Sequence, residues 1–171
     1  AAAGWGHTTK AHGELLGRAG TFSAAVLDVH EFLANQGLSE SFQQALRPLP
    51  CTVAYHDACH MIHGQGIAAQ PRDLLRAIPE LQLKEATEAG VCCGSAGIYN
   101  LVQPDEAAAL GQLKADDLSS TGAEIVASAN IGCSLQLRRY LSQDGPKVEH
   151  PMELLARSAG VGPFSQTHSK A

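Results

Sequence analysis

Apolar and polar positions along the chain mark out short strands and helices in alternation. TVAY (52–55) reads as a strand, and the HDACHMIHGQG that follows (56–66) as a loop. PRDLLRAIP (71–79) predicts a helix, with Pro71 in its first turn and Pro79 beyond its end. LQLKEA (81–86) alternates and predicts a strand, and VCCGSAGIYN (91–100) reads as a loop. PDEAAALGQLKADDLSSTG (104–122) gives the longest helical period. Pro104 and Asp105 open it, Ala107, Leu110 and Leu113 line one face, and Gly122 closes it. AEIVASA (123–129) is a further strand, SLQLRRYLSQDG (134–145) a helix ending at Gly145, KVEH (147–150) a brief strand, and PMELLARSAG (151–160) a last helix. Strands alternating with helices imply an α/β fold, a mostly parallel sheet with flanking helices.

The cysteines fall at informative places on this scheme. Cys59 follows the first strand, Cys92 and Cys93 follow the second by a short loop, Cys133 follows the third, and His150 follows the fourth. Segments leaving the strands of a parallel sheet emerge at one edge, where binding crevices form. Four separate segments therefore deliver Cys or His to one edge. Adjacent residues on a strand or helix diverge, so Cys92 and Cys93 can serve one site only where the backbone is irregular. Gly94 and Gly97 supply that irregularity. Cys51 precedes the first strand, on the far side from this edge, and reads as structural.

Composition narrows the function. Hydrophobic residues make up 44% of 171, enough for a packed core. The net charge of −5 and the scattered basic residues argue against nucleic acid as a partner. No apolar run approaches the roughly 18 residues of a membrane span, and no signal peptide is visible. Five cysteines are an odd number for a secreted disulfide scaffold, so a reducing compartment with metal or redox use fits better. The opening AAAGWGH lacks an initiator Met and reads as the middle of something, which suggests a fragment or a truncated subunit.

A weak internal repeat is visible. AAAGWGHTTK (1–10) is similar to SANIGCSLQL (128–137), with Trp5 where the later copy has Cys133. HEFLA (30–34) is similar to MELLA (152–156). The expected organisation is the helical, incomplete tail of a first copy over 1–45, a complete second copy over 50–160, and a flexible tail over 161–171.

The strings YHDACH (55–60), VCCGSAG (91–97) and NIGCSLQ (130–136) resemble the cysteine-rich (CCG) domain of heterodisulfide reductase B subunits. YHDACHMIHGQGI (55–67), CCGSAGIYNL (92–101) and HPMELLA (150–156) resemble the C-terminal half of the glycolate oxidase iron–sulfur subunit. In that family a ferredoxin-like domain with two 4Fe–4S clusters precedes two CCG repeats, and the present sequence has no counterpart of that domain. The resemblance implies an iron–sulfur electron-transfer subunit, an oxidoreductase component not competent alone. It would receive electrons from FAD-containing glycolate oxidase subunits that oxidise a 2-hydroxy acid, and pass them toward a quinone pool. It implies a cytoplasmic setting, peripheral to the inner face of the membrane through the complex. Two positions depart from the family: Gln136 stands where a fuller Cys-x-x-Cys would end, and Trp5 replaces the first repeat's cysteine.

Cys59, Cys92, Cys93 and Cys133 are thus the candidate ligands of a cofactor or metal. Four thiolates suit an iron–sulfur cluster, 4Fe–4S by resemblance, or a tetrahedral zinc. A vicinal pair is awkward for one zinc ion, whereas a cluster offers several irons. Backbone N–H groups near Gly94 and Gly97 could donate to its sulfurs. Among the flanking histidines His56, His60, His63 and His150, loop-capping and core roles compete with ligation; His60 and His150 are the secondary ligand candidates. Asp57 reads as a turn cap, and Trp5 and Tyr99 as packing residues. The glycines of GQG (64–66) are too few for a phosphate loop. No dinucleotide fingerprint follows any strand, so flavin chemistry belongs to a partner. The alternatives are a zinc-stabilised docking module without redox role, and a degenerate fragment whose thiols are inert.

Overall fold

The computed structural model describes residues 3–16 and 20–161, with side chains over 6–12 and 21–161. Four helices come first: α1 (Ala3–Leu16), α2 (Gly20–Ala25), α3 (Val29–Gln36) and α4 (Glu40–Ala45). There follow β1 (Cys51–His56), α5 (Cys59–Gln65), α6 (Ala69–Arg76), β2 (Leu81–Lys84), α7 (Tyr99–Val102) and α8 (Pro104–Ser120). The chain continues through β3 (Ile125–Ser128), α9 (Ile131–Tyr140), β4 (Lys147–Glu149) and α10 (Pro151–Ser158).

The four strands are all parallel, in the order β2-β1-β3-β4. From β1 the chain moves outward to β2, then crosses back to β3 on β1's other side. This reversal places a topological switch point between the carboxyl ends of β1 and β3, where open α/β sheets form their crevice. His56 and Ser128 stand opposite each other there.

Both sheet faces are covered, which is why β1 and β3 read as nearly continuous apolar runs. Alternation along the strands sorts the core into two layers. Ala54, Val126 and Val148 pack with Met61 of α5, Leu118 of α8 and Leu137 of α9, and this layer includes Cys93 and Cys133. Val53, Tyr55, Ile125 and Ala127 pack with Leu75 of α6 and Leu154 and Leu155 of α10. Leu33 of α3 and Phe42 of α4 join the second layer. The segment before β1 is also tied down by backbone: Arg47 N–H donates to Ser158 O at 2.8 Å, and Ser158 Oγ donates to Arg47 O at 2.7 Å.

Three differences from the sequence reading bear on the site. The stretch 56–66 is not a plain loop, because α5 begins at Cys59; Met61 anchors it in the core and Gly66 ends it at φ 68°. The buried face of α8 is Ala107, Gly111, Lys114, Ala115 and Leu118, while Leu113 is 50% exposed. Small residues face inward because α9 lies close: a Cβ on Gly111 would sit 2.4 Å from Tyr140 Cε2. Helix α9 starts earlier and ends earlier than predicted. Asn130 caps it by accepting from Gly132 N–H at 2.9 Å, and the backbone turns extended at Leu141, short of Gly145. The Trp5 side chain, and the tail beyond Val161, lie outside the described residues. No helix among the described residues is long and apolar enough to cross a membrane.

Candidate metal centre

The crevice at the switch point holds a cavity of about 160 Å³, lined by Cys59, His60, Cys93, Ser95, Asn130 and Cys133 among others. The four thiols arrive on three segments. Cys59 is the first residue of α5, directly after β1. Cys133 lies in the first turn of α9, directly after β3. Cys92 and Cys93 come from the long β2–α7 connection. The four form a contiguous chain, with Cys59 in hydrogen-bond reach of Cys92, Cys92 of Cys93, and Cys93 of Cys133.

The vicinal pair is turned inward by its surroundings. Gly94 has φ 82°, and a Cβ there would lie 2.4 Å from Ala107 O, so the loop presses against the α8 backbone where only glycine fits. Upstream, buried Lys114 of α8 donates to the carbonyls of Glu88 and Ala89. Asp117 accepts from Thr87 N–H at 3.0 Å and from Glu88 N–H at 3.2 Å. Two residues of one helix thus fix the backbone that leads into Cys92.

Backbone donors converge on the sulfurs. Gly94 N–H donates to Cys92 Sγ at 3.4 Å, and the backbone of Ser95 and His60 lowers the pKa of Cys93 and Cys59 in turn. The N-terminal end of α9 adds partial positive charge at Cys133. Crowding works the other way. Cys93 is pushed up to about 12, first by its hydrogen bond with Cys133. Cys92 is raised by its hydrogen bond with Cys93 and then by burial; burial, followed by Cys92, raises Cys59. Cys59, Cys92 and Cys93 therefore hold their protons until a cation shares their charge, and metal binding then releases those protons. With sulfur donors from three segments lining or adjoining one crevice and a backbone N–H aimed at Cys92 Sγ, the residues fit a thiolate-bound metal or iron–sulfur group.

His56, named from sequence only as a flanking histidine, lies at the heart of the site. Its ring is 1% exposed, and one ring nitrogen lies with Cys93 Sγ and Cys133 Sγ in a group whose members are all within 4.8 Å of one another. Neither ring nitrogen has a hydrogen-bond partner among the described residues. Burial, then Lys114, lowers its pKa to about 4, so the ring is neutral at pH 7.

The other candidates separate. His60 lines the cavity, with its ring centroid 5.7 Å from that of His7 on α1. His150 is not brought to the cysteines. It caps α10, accepting from Met152 N–H at 3.1 Å, and it lines a different cavity with Arg138 and Ser134; its ring lies 5.5 Å from His30. Asp57 does not cap a turn. Its carboxylate accepts twice from Arg72, at 2.8 and 2.6 Å, and Arg72 stacks over Tyr55. Gln136 donates to Ala107 O at 3.2 Å. Cys51 lies at the opposite end of β1, as the sequence suggests. Lys114 and Asn130 were not legible as site residues, although Asn before Ile-Gly carries an N-cap signal.

Residues 53–138 match the family model described as the CCG cysteine-rich domain. Over 133 residues the chain is 35% identical to the B subunit of the fumarate reductase (CoM/CoB) of Methanothermobacter marburgensis, covering 76% of this chain and 26% of that protein. It is 34% identical over 115 residues to the probable glycolate oxidase iron-sulfur subunit of Bacillus subtilis, covering 65% of this chain and 26% of the relative. Against the glycolate oxidase iron-sulfur subunit of Escherichia coli the figures are 28% over 164 residues, 92% of this chain and 38% of the relative. The chain therefore spans from about a quarter to under two fifths of the length of these relatives.

Proposed function

The chain belongs to the CCG cysteine-rich domain family, and from that premise we propose that it is the iron–sulfur electron-transfer region of a glycolate oxidase or a related oxidoreductase. The observation that carries the reading is the meeting of Cys59, Cys93 and Cys133 around one cavity at the sheet's switch point, with Cys92 between Cys59 and Cys93. Relatives named as iron–sulfur subunits support it. The four cysteines are the ligands, and the group is a cluster, 4Fe–4S by family resemblance.

Such a group supplies one-electron acceptance and donation when bound. The chain's own residues do the rest. Gly94 N–H hydrogen-bonds to Cys92 Sγ, which raises the potential of whatever the thiolates hold. The core layer behind Cys93 and Cys133 keeps water away. Ile98 and Ile131, next in the chain to two glycines that line the cavity, are 66% and 57% exposed and offer an apolar rim to a partner. That partner is an FAD-containing subunit that oxidises a 2-hydroxy acid, with a quinone pool beyond it, and the complex sits at the cytoplasmic face of the membrane. Residues 50–160 form the working copy of the domain, and 1–45 the tail of a first copy. The matching capping boxes, Asp28 with Glu31 and His150 with Glu153, support this division.

One observation favours a second reading. Three donors of mixed type, His56, Cys93 and Cys133, lie close enough to bind a single ion, a set that also suits zinc in a docking module without redox role. The full-length protein, reconstituted anaerobically with iron and sulfide and then reduced, separates the two. An electron paramagnetic resonance signal that disappears when a quinone reoxidises the group supports electron transfer. Silent protein that instead retains zinc supports docking.

A further inference from the structure

We propose that His56 is itself a ligand of the metal group, its imidazole nitrogen standing with Cys93 Sγ and Cys133 Sγ around one metal position. The inference rests on the metal-binding reading above and adds a nitrogen donor to a site so far described by sulfur alone.

Three observations carry it. The imidazole is sealed from solvent, and neither nitrogen has a hydrogen-bond partner among the described residues. A buried ring with two unpaired polar atoms is costly, and proteins retain such groups where something absent from the apo chain satisfies them. The unpaired ring also faces the sulfurs. His56 closes β1 in register with Ser128, and parity along the strand puts it on the same face as Ala54, the face that carries Cys93 and Cys133. Finally, the spacing suits ligation. Bonds of about 2.0–2.1 Å to nitrogen and 2.3 Å to sulfur at tetrahedral angles separate donors on one ion by roughly 3.6–3.8 Å, and donors already within 4.8 Å of one another need only a small inward shift to reach that spacing. No hydrogen bond joins the ring to either sulfur, so the imidazole stands close to both without being satisfied by them. His60 also lines the cavity, but its ring packs against His7 and it is not in the three-donor group.

Exchanging a thiolate for a neutral imidazole leaves the group less negative and raises its reduction potential. The full-length protein, reconstituted anaerobically with iron and sulfide, tests the assignment through pulsed electron paramagnetic resonance and a redox titration. Wild type is expected to show the coupling of a directly bonded ¹⁴N, converted to the ¹⁵N pattern when only histidine is labelled. His60→Ala and His150→Ala should retain that coupling. His56→Cys should bind iron, lose the coupling and titrate at lower potential. The labelled wild type and the two control variants carry the assignment even if His56→Cys fails to fold. An iron signal without bonded-nitrogen coupling, or one whose coupling is lost in His60→Ala, overturns the His56 assignment and leaves the cluster reading intact. Protein that binds no iron overturns both.

Discussion

Replacing Gly94 by alanine probes the contact that turns the vicinal thiols inward. At φ 82° a residue with a Cβ is strained by roughly 1–2 kcal/mol. The added carbon would also sit 2.4 Å from Ala107 O, 3.1 Å from its Cα and 3.2 Å from its carbonyl carbon. These are backbone atoms of α8, which cannot rotate away, so overpacking adds about 1–3 kcal/mol. The combined cost of about 2–5 kcal/mol is a large part of the roughly 5–15 kcal/mol that holds a domain together. Gly97 is the internal control. It also has positive φ, 62°, but a Cβ there meets nothing within 4 Å, so Gly97→Ala should cost only the strain, about 1–2 kcal/mol. Denaturant unfolding of the metal-free protein gives both stabilities, and iron and sulfide content after reconstitution reads the consequence for the thiols. Gly94→Ala should be the less stable and should load poorly, with Gly97→Ala near wild type in loading. Equal destabilisation of the two variants would refute the claim that close approach to α8 shapes this loop.

Lys114→Met removes a buried cation from between the carbonyls of Glu88 and Ala89 and the side chain of Asp117. Unfolding should show a loss of about 3–5 kcal/mol, whereas a change within about 0.5 kcal/mol would mean that the lysine does not hold the loop. Cys93→Ser should abolish loading of the metal group, while Cys51→Ser, at the far end of β1, should leave it unchanged; colorimetric iron assay of both variants decides. Burial first, then His30, lowers the pKa of His150 to about 4, with Glu153 and Asp28 opposing. The unfolded chain therefore takes up a proton between about pH 6.5 and 4 that the fold refuses. Stability falls as pH drops through that window and levels off below it. His150→Asn keeps an N-cap acceptor and should make this limb shallower, as measured by urea unfolding at stepped pH. An unchanged slope would contradict the assignment.

Much of this architecture is legible in the sequence because burial writes itself into residue type. β1 and β3 are buried on both faces and read as apolar runs, and α8 carries Pro104 at its start and a glycine at φ 66° just past its end. Convergence of the four cysteines followed from strand order alone, since parallel strands share an edge for whatever follows them. Helix α5 escaped because Cys-His-Met-Ile-His-Gly-Gln is under two turns and its N-cap, Ala58, offers no side-chain bond. The inner face of α8 escaped because close approach to α9 selects Gly111 over leucine, and because Lys114 finds carbonyl partners that only the folded loop supplies. Similar logic separates the histidines. His150 follows β4 as read, but its ring faces His30, and the direction of a ring after a strand depends on the cap it makes. His56 looked ordinary because alternation tells which face a residue takes, and says nothing of whether its nitrogens find partners.

The central claim is that thiols from separate segments together hold one iron–sulfur group. Iron, acid-labile sulfide and zinc, counted per chain in full-length protein purified without oxygen, test it most directly. The account predicts several irons bound through this region, matched by sulfide, with zinc absent, and their loss in Cys93→Ser. About one zinc per chain without sulfide, or a Cys93→Ser variant that keeps all its iron, would contradict it.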